Sequence, residues 1–159
     1  MAADTFLKIG DIKGESQDDK HKDEIEVLSY SWGVANQGSM DFGGGGGEGK
    51  ATFHDLSITH RVDKASPVLM QVCANGTHLK DGTLTVRKAG KTQLEYLVIK
   101  MNDIIVTSIT HGGGGGDGAT ENVSLAFAKV NVEYKPQKAD GSLDAGVKWG
   151  YDRKVQKEA

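Results

Sequence analysis

The sequence predicts an all-β protein with one short helix, and three observations predict it. Of 159 residues, 22 are Gly and only 2 are Pro, a balance that suits many turns between short strands. Val, Ile, Thr and Tyr recur in brief runs alternating with polar residues, the period of a half-buried strand. Only "SPVLMQVCANG" carries helix signals. So many short strands in one small chain either close into a barrel or stack as a sandwich. With 37% hydrophobic residues there is enough apolar surface for one core, so residues 1–159 are expected to form a single domain.

Strands are expected over Thr5–Ile9, Ile25–Trp32, Lys50–His60, Thr83–Lys88, Gln93–Met101, Ile104–Thr110 and Asn122–Tyr134. In "LEYLVIKM", Leu94, Tyr96 and Val98 share one side and Leu97, Ile99 and Met101 the other, because side chains alternate along a strand. One side fills the core; the other needs a cover. In "ENVSLAFAKVNVEY", Val123, Leu125 and Phe127 share a face while Val130, Val132 and Tyr134 have the opposite parity, so a β-bulge is expected near Ala128 or Lys129. In the helix, Ser66 is placed to cap the first amides, Pro67 suits the first turn, and Gly76 suits a left-handed residue after the end. Val68, Leu69, Val72 and Cys73 make its apolar stripe. So short a helix is stable only when docked, and it covers part of the second apolar face alone. The remainder is expected to meet another subunit, with Leu97 and Ile99 as candidate contacts.

The charge balance, 19 basic against 22 acidic residues with a pI near 5.9, offers no broad positive field for nucleic acid. No apolar run approaches the roughly 18 residues of a membrane-spanning helix, so membrane insertion is not expected. "MAADTFLKIGDIKGE" lacks the basic and apolar regions of a signal peptide, which points to synthesis in the cytoplasm. Cys73 is the one cysteine, in keeping with a reducing compartment.

"FGGGGGEGKATF", Phe42 to Phe53, comes within one residue of the phosphate-cradling pattern G-x-x-x-x-G-K-[ST]. Ala51 stands where a hydroxyl would ligate magnesium, no buried parallel strand precedes it, and an alternating strand follows where a helix is required. The run reads as a flexible strand connection, as does the second, "HGGGGGDG" at 111–118. His21, His54, His60, His78 and His111 form no H-x-x-x-H and no close cysteine pair, so neither metal nor cofactor is expected. A G-x-S-x-G elbow is absent, and Cys73 belongs to the apolar side of the helix. The cluster "ESQDDKHKDE", 15–24, reads as a solvated loop. These residues describe a β-rich binding or structural protein and not an enzyme. A stand-alone small-ligand or carbohydrate-binding barrel is the main alternative, and a hydrolase or phosphatase a more distant one.

Several segments, in order, resemble the hemolysin-coregulated protein (Hcp) family, tube subunits of bacterial type VI secretion systems: "IKGES" from Ile12, "IEVLSYSWG" from Ile25, "DKASPVLMQVC" from Asp63, "TENVSLAFAKVNVEYKPQKADG" from Thr120, and the first glycine run. The resemblance implies a two-sheet β-barrel with one flanking helix, assembled into a homohexameric ring. It implies stacked rings inside a contractile sheath, a spike protein at the tip, small effector proteins carried in the lumen, and secretion by that system without a signal peptide. It further implies that the glycine-rich segment near 38–49 is an extended loop reaching the neighbouring subunit or next ring, with Gly38, Ser39, Met40, Asp41, Phe42, Gly43, Gly44, Gly45, Gly46 and Gly47 as stacking candidates. Within "LSYSWG", Leu28, Tyr30 and Trp32 are expected in the barrel core. Ser29, Ser31 and Gly33 on the other face are the lumen and cargo candidates. The family more often has Gly followed by Trp where "KWGYDRKV" places Trp149 before Gly150.

Overall fold

The computed structural model describes residues 3–36, 51–90, 92–116 and 118–159. Its elements are β1 (Ala3–Ile9), β2 (Ile25–Val27), β3 (Ser29–Ser31), β4 (Val34–Asn36), β5 (Ala51–Phe53), β6 (Leu56–Arg61), α1 (Ala65–Asn75), β7 (Leu79–Lys88), β8 (Leu94–Gly112), β9 (Thr120–Tyr134), β10 (Val147–Asp152) and β11 (Lys157–Glu158). The strands pair in the order β11-β10-β9-β8-β7-β1-β2, β6 bridges β9 and β3, and β4–β5 form a separate ribbon. The chain leaves β1 and joins β6 at Leu28, whose amide donates to the Thr59 carbonyl at 2.8 Å. Because β2 and β3 are consecutive, that switch of partner leads the β2 end of the path back through β3 and β6 to β9, closing β9-β8-β7-β1-β2 into a barrel.

Strand continuity departs from expectation in three places. Gln93–Met101 and Ile104–Thr110 are one long strand, β8, which crosses the barrel corner with Asp103 in a left-handed conformation (φ 52°). The runs expected over Ile25–Trp32 and Lys50–His60 are each split in two. β4, β10 and β11 carry too little apolar alternation to be foreseen. The apolar phase of β9 does invert, with Phe127 and Val130 both buried. It does so without a bulge at Ala128 or Lys129, since Met101↔Val130 and Ile104↔Phe127 keep one register. β8 and β9 turn over together at the corner, and the irregularity against β8 lies at Thr107 instead.

The core is filled by Leu7, Ile9, Ile25, Leu56, Ile58, Leu69, Leu84, Met101, Ile104 and Leu125. Ile99 belongs to it at 4% exposure, which corrects its expected role as a subunit contact: the Leu97–Ile99–Met101 side faces the core, and the half-buried Tyr96 and Val98 lie on the side left to be covered. Leu97 shares the side of Ile99 and is half-buried near its end.

Two of the three residues of "LSYSWG" expected in the core are exposed. Leu28, at 50%, turns outward where the strand changes partner, and Tyr30, at 37%, faces inward on a strand whose far side pairs with no other strand among the described residues. Trp32 is half-buried and packs with Phe53 and Phe127. Phe53 also meets Trp149 and Tyr151, and the Arg153 guanidinium lies over Phe53 and Phe127 while donating to the Phe127 carbonyl at 2.9 Å. Gly150 lets this end of the chain close: a Cβ there would stand 2.2 Å from Asn131 Oδ1 and 2.5 Å from the Ala159 carbonyl oxygen.

Helix α1 docks through Leu69, Val72 and Cys73, while Val68 is 39% exposed. Ser66 does not cap it. Ser66 is buried, its Oγ accepts from the Asp63 amide at 3.1 Å, and the first amides go to carboxylates instead: Ala65 to Asp63 at 2.9 Å and Lys64 to Glu15 at 2.9 Å. Gly76 ends the helix at φ 65°, its amide going to the Cys73 carbonyl and that of Thr77 to Val72, a Schellman closure.

The charged segment 15–24 is a fastened strap and not a solvated loop. His21 is 7% exposed, stacks on Phe6 (4.5 Å, 7°), and places Nδ1 2.9 Å from Glu24 and Nε2 2.7 Å from Glu95. Arg87, 2% exposed, grips Asp18 with both terminal nitrogens.

Candidate functional site

The tetrapeptide Ser-Ile-Thr-His occurs twice, at 57–60 and at 108–111. The fold sets the two copies on either side of β9, where Glu121, Asn122, Val123 and Ser124 run antiparallel between them. Cross-strand registry joins Ser31↔Ser57↔Ser124↔Ser108 in one row and Ser29↔Thr59↔Asn122↔Thr110 in the next polar row. Between these rows Tyr30↔Ile58↔Val123↔Ile109 point to the opposite face, as the two-residue period demands.

The result is a wall four strands wide, from β3, β6, β9 and β8, built of serine, threonine and asparagine with no charged side chain in either row. Its middle is self-satisfied: Thr59 Oγ1 donates to Asn122 Oδ1 at 2.5 Å, and the Ser57 and Ser124 hydroxyls are 3.2 Å apart. Ser29 and Ser31 on one flank, and Ser108 and Thr110 on the other, are exposed. At the border, Thr107 Oγ1 lies 2.6 Å from Asp55 Oδ2 and 3.1 Å from the Ser124 carbonyl oxygen. Such a surface offers hydroxyl donors and acceptors without charge or bulk.

The structure therefore places Ser29 and Ser31 in these rows. Gly33 lies beyond β3, where its carbonyl accepts from the His54 amide at 2.9 Å, and is outside them. The candidates Gly38 to Gly47 fall outside the described residues. Ser57, Thr59, Ser108, Thr110, Asn122 and Ser124 were not singled out from sequence, although the repeated tetrapeptide is a signal that finds most of them.

The core face of the same strands carries His60↔Glu121↔His111. His60 Nε2 lies 2.8 Å from Glu121 Oε1, with both side chains fully buried. Glu121 Oε2 is 3.7 Å from Nδ1 of His111, which is 46% exposed. His60 Nδ1 is 3.8 Å from Asp63 Oδ2. Burial pushes the Asp63 carboxyl up, the Ala65 amide and His60 oppose this, and the nearby Glu15 and Glu121 charges add to it. Among the described residues no group of three or more His, Cys, Asp or Glu side chains is arranged to hold a metal ion.

Residues 6–134 match the family described as "Type VI secretion system effector, Hcp". The chain belongs to the Hcp family. It is 51% identical over 155 residues to Protein hcp1 of Pseudomonas aeruginosa, covering 96% of each chain. Among solved structures, it resembles Hcp1 from Salmonella typhimurium with 40% identity, full coverage of both chains and a TM-score of 0.83. A second, titled a type six secretion system protein, gives 31% identity, a TM-score of 0.94, and coverage of 99% of this Hcp chain and 100% of that one. These likenesses establish a type VI secretion protein with the Hcp fold. Among the described residues no helix is long and apolar enough to cross a membrane.

Proposed function

We propose that this Hcp chain is a structural subunit of the type VI inner tube. Six copies close head to tail into a ring, rings stack inside a contractile sheath with a spike protein at the tip, and small effector proteins travel in the lumen. The chain is made in the cytoplasm and leaves through the same apparatus; its role is structural, not catalytic.

The observation that carries this reading is that the polar wall ends in two unpaired edges. Among the described residues no strand pairs with the outer edge of β3, and none pairs with β8 beyond Ile104 except β9. Unpaired edges invite pairing with another chain, and two different edges on one molecule suit a heterologous, ring-forming contact. Joining β3 of one copy to β8 of the next would carry the hydroxyl rows without interruption around a lumen. Apolar surface flanks both edges: Leu28 and Tyr30 beside β3, and Val68 and Met70, each 39% exposed, on the helix packed against β8. Small neutral side chains are suited to cargo of varied sequence, since they neither repel it nor bind it by charge.

In the same reading, Ser29 and Ser31 face the lumen, and Gly38 to Gly47 reach the neighbouring subunit or the next ring. Ordering such a glycine segment costs roughly 1 to 2 kcal/mol per residue, which assembly contacts would offset. Light scattering after size exclusion, with negative-stain imaging of the same fraction, tests the proposal. Six times the 16.9 kDa chain mass with open rings supports it; a monomer at high concentration overturns it.

A further inference from the structure

The two Ser-Ile-Thr-His strands put a histidine on each side of Glu121, yet the two are not equivalent. His60 is sealed in the core and holds Oε1 at 2.8 Å, whereas His111 is 46% exposed and stops 3.7 Å short of Oε2. That oxygen is buried and has no hydrogen-bond partner among the described residues. A fully buried carboxylate oxygen without a donor is costly, and here a suitable donor stands about one ångström too far away. His111 belongs to the stretch of β8 that, among the described residues, has no strand on its outer edge.

We propose that His111 and Glu121 form a proton-operated latch at the subunit joint. A second copy of this chain, docking its β3 edge along β8, covers His111 and drives its Nδ1–H onto Glu121 Oε2. This rests on the ring reading above and adds its regulation. Closure gives Glu121 a histidine donor on both oxygens, and the pair is strongest when the covered ring is imidazolium, facing a carboxylate in a site shielded from water. Histidine ordinarily changes charge between pH 5 and 8, so ring stability falls as pH rises through that range. The groups that face the latch are His60 from β6, which holds the other oxygen, and, behind it, Asp63 and Glu15. Asp63 lies 3.8 Å from His60 Nδ1, and Glu15 Oε2 accepts the Lys64 amide at 2.9 Å. None of these donates to Oε2, so the change is assigned to His111.

The test uses the full chain, followed by light scattering over a dilution series at pH 6.0 and pH 8.5 at one ionic strength. Rings of the parent are expected to dissociate at about tenfold higher concentration at pH 8.5 than at pH 6.0. His111→Gln, a partly exposed position that can change without disturbing the core, should form rings whose dilution midpoint no longer moves with pH. His78→Gln, an exposed histidine between α1 and β7, should behave as the parent. Rings with a pH-independent midpoint, or a His111→Gln variant as pH-sensitive as the parent, would overturn the latch while leaving the ring intact. A monomer at every pH and concentration would instead overturn the ring reading, and the latch with it.

Discussion

Arg87 and Asp18 meet as a two-pronged ion pair, Nη1 to Oδ2 at 2.8 Å and Nη2 to Oδ1, joining β7 to a loop 69 residues earlier. Arg87 also lies over the Phe6 ring at 4.8 Å, and His21 stacks on the same ring. The strap between β1 and β2 is thus held by two nitrogenous side chains converging on one aromatic residue.

The Arg87 hydrogen bond holds the Asp18 carboxyl at about 2, below the ordinary 3.8, with burial opposing it and the Lys20 amide adding to it. A depressed carboxyl contributes stability that is present above its unfolded value and lost as pH falls through the folded one. Asp18→Asn is therefore expected to be less stable than the parent at pH 7 and to lose less between pH 4 and pH 2. Urea midpoints measured across that window check it; parallel curves would remove Asp18 as the source.

Asp63 has the opposite sign. Its carboxyl is raised, chiefly by burial, so its favourable contribution is present below the ordinary value and lost as pH rises through the folded one. Asparagine keeps an oxygen for the Ala65 amide, now 2.9 Å from Oδ1. Asp63→Asn should be at least as stable as the parent at pH 7, with the gap closing below about pH 4, the ordinary aspartate range. Thermal melts at the two pH values decide this, and a variant less stable at pH 7 would show that the ion pair with His60 outweighs burial.

Leu69 is the anchor of α1 in the core, at 0% exposure. Leu69→Ala is expected to cost about 2 to 5 kcal/mol, against about 0.5 kcal/mol or less for the same change at the partly exposed Met70. Denaturant unfolding of both variants measures the difference.

Gly150 has no room for a side chain, whereas a Cβ on Gly114 meets nothing within 4 Å. Gly150→Ala should destabilise by about 1 to 3 kcal/mol, and Gly114→Ala by about 0.5 kcal/mol or less, in the same unfolding assay.

Ser124 lies on β9, one strand in from the β8 edge of the wall and two from the β3 edge. If the wall lines a lumen, Ser124→Arg should lower retention of a co-expressed effector severalfold and leave ring mass unchanged, because it changes the lining and not the joint. Ser31→Arg changes the edge strand itself, so loss of rings in that variant alone would locate Ser31 at the joint. Pull-down and light scattering on the same preparations read both effects.

Sequence alone determined the elements whose signals are local. Alternation marked most strands, Pro67 and Gly76 bounded the helix, and the parity of "SYS" separated Ser29 and Ser31 from Tyr30, because a strand's period and a helix's end are set by residues a few positions apart. The tertiary structure decided what depends on neighbours distant in sequence. It decided that Leu28 turns out where β2 gives way to β3, that Ile99 and not Val98 faces the core, and that segment 15–24 is pinned by Arg87 and Glu95. It also decided that Ser-Ile-Thr-His, written twice, becomes one wall and one histidine row only when β9 is inserted between the copies. Burial and cross-strand contact are properties of the registered sheet: the same four residues give a sealed His60 in β6 and an open His111 in β8, because among the described residues β6 has partners on both edges and this end of β8 has one only.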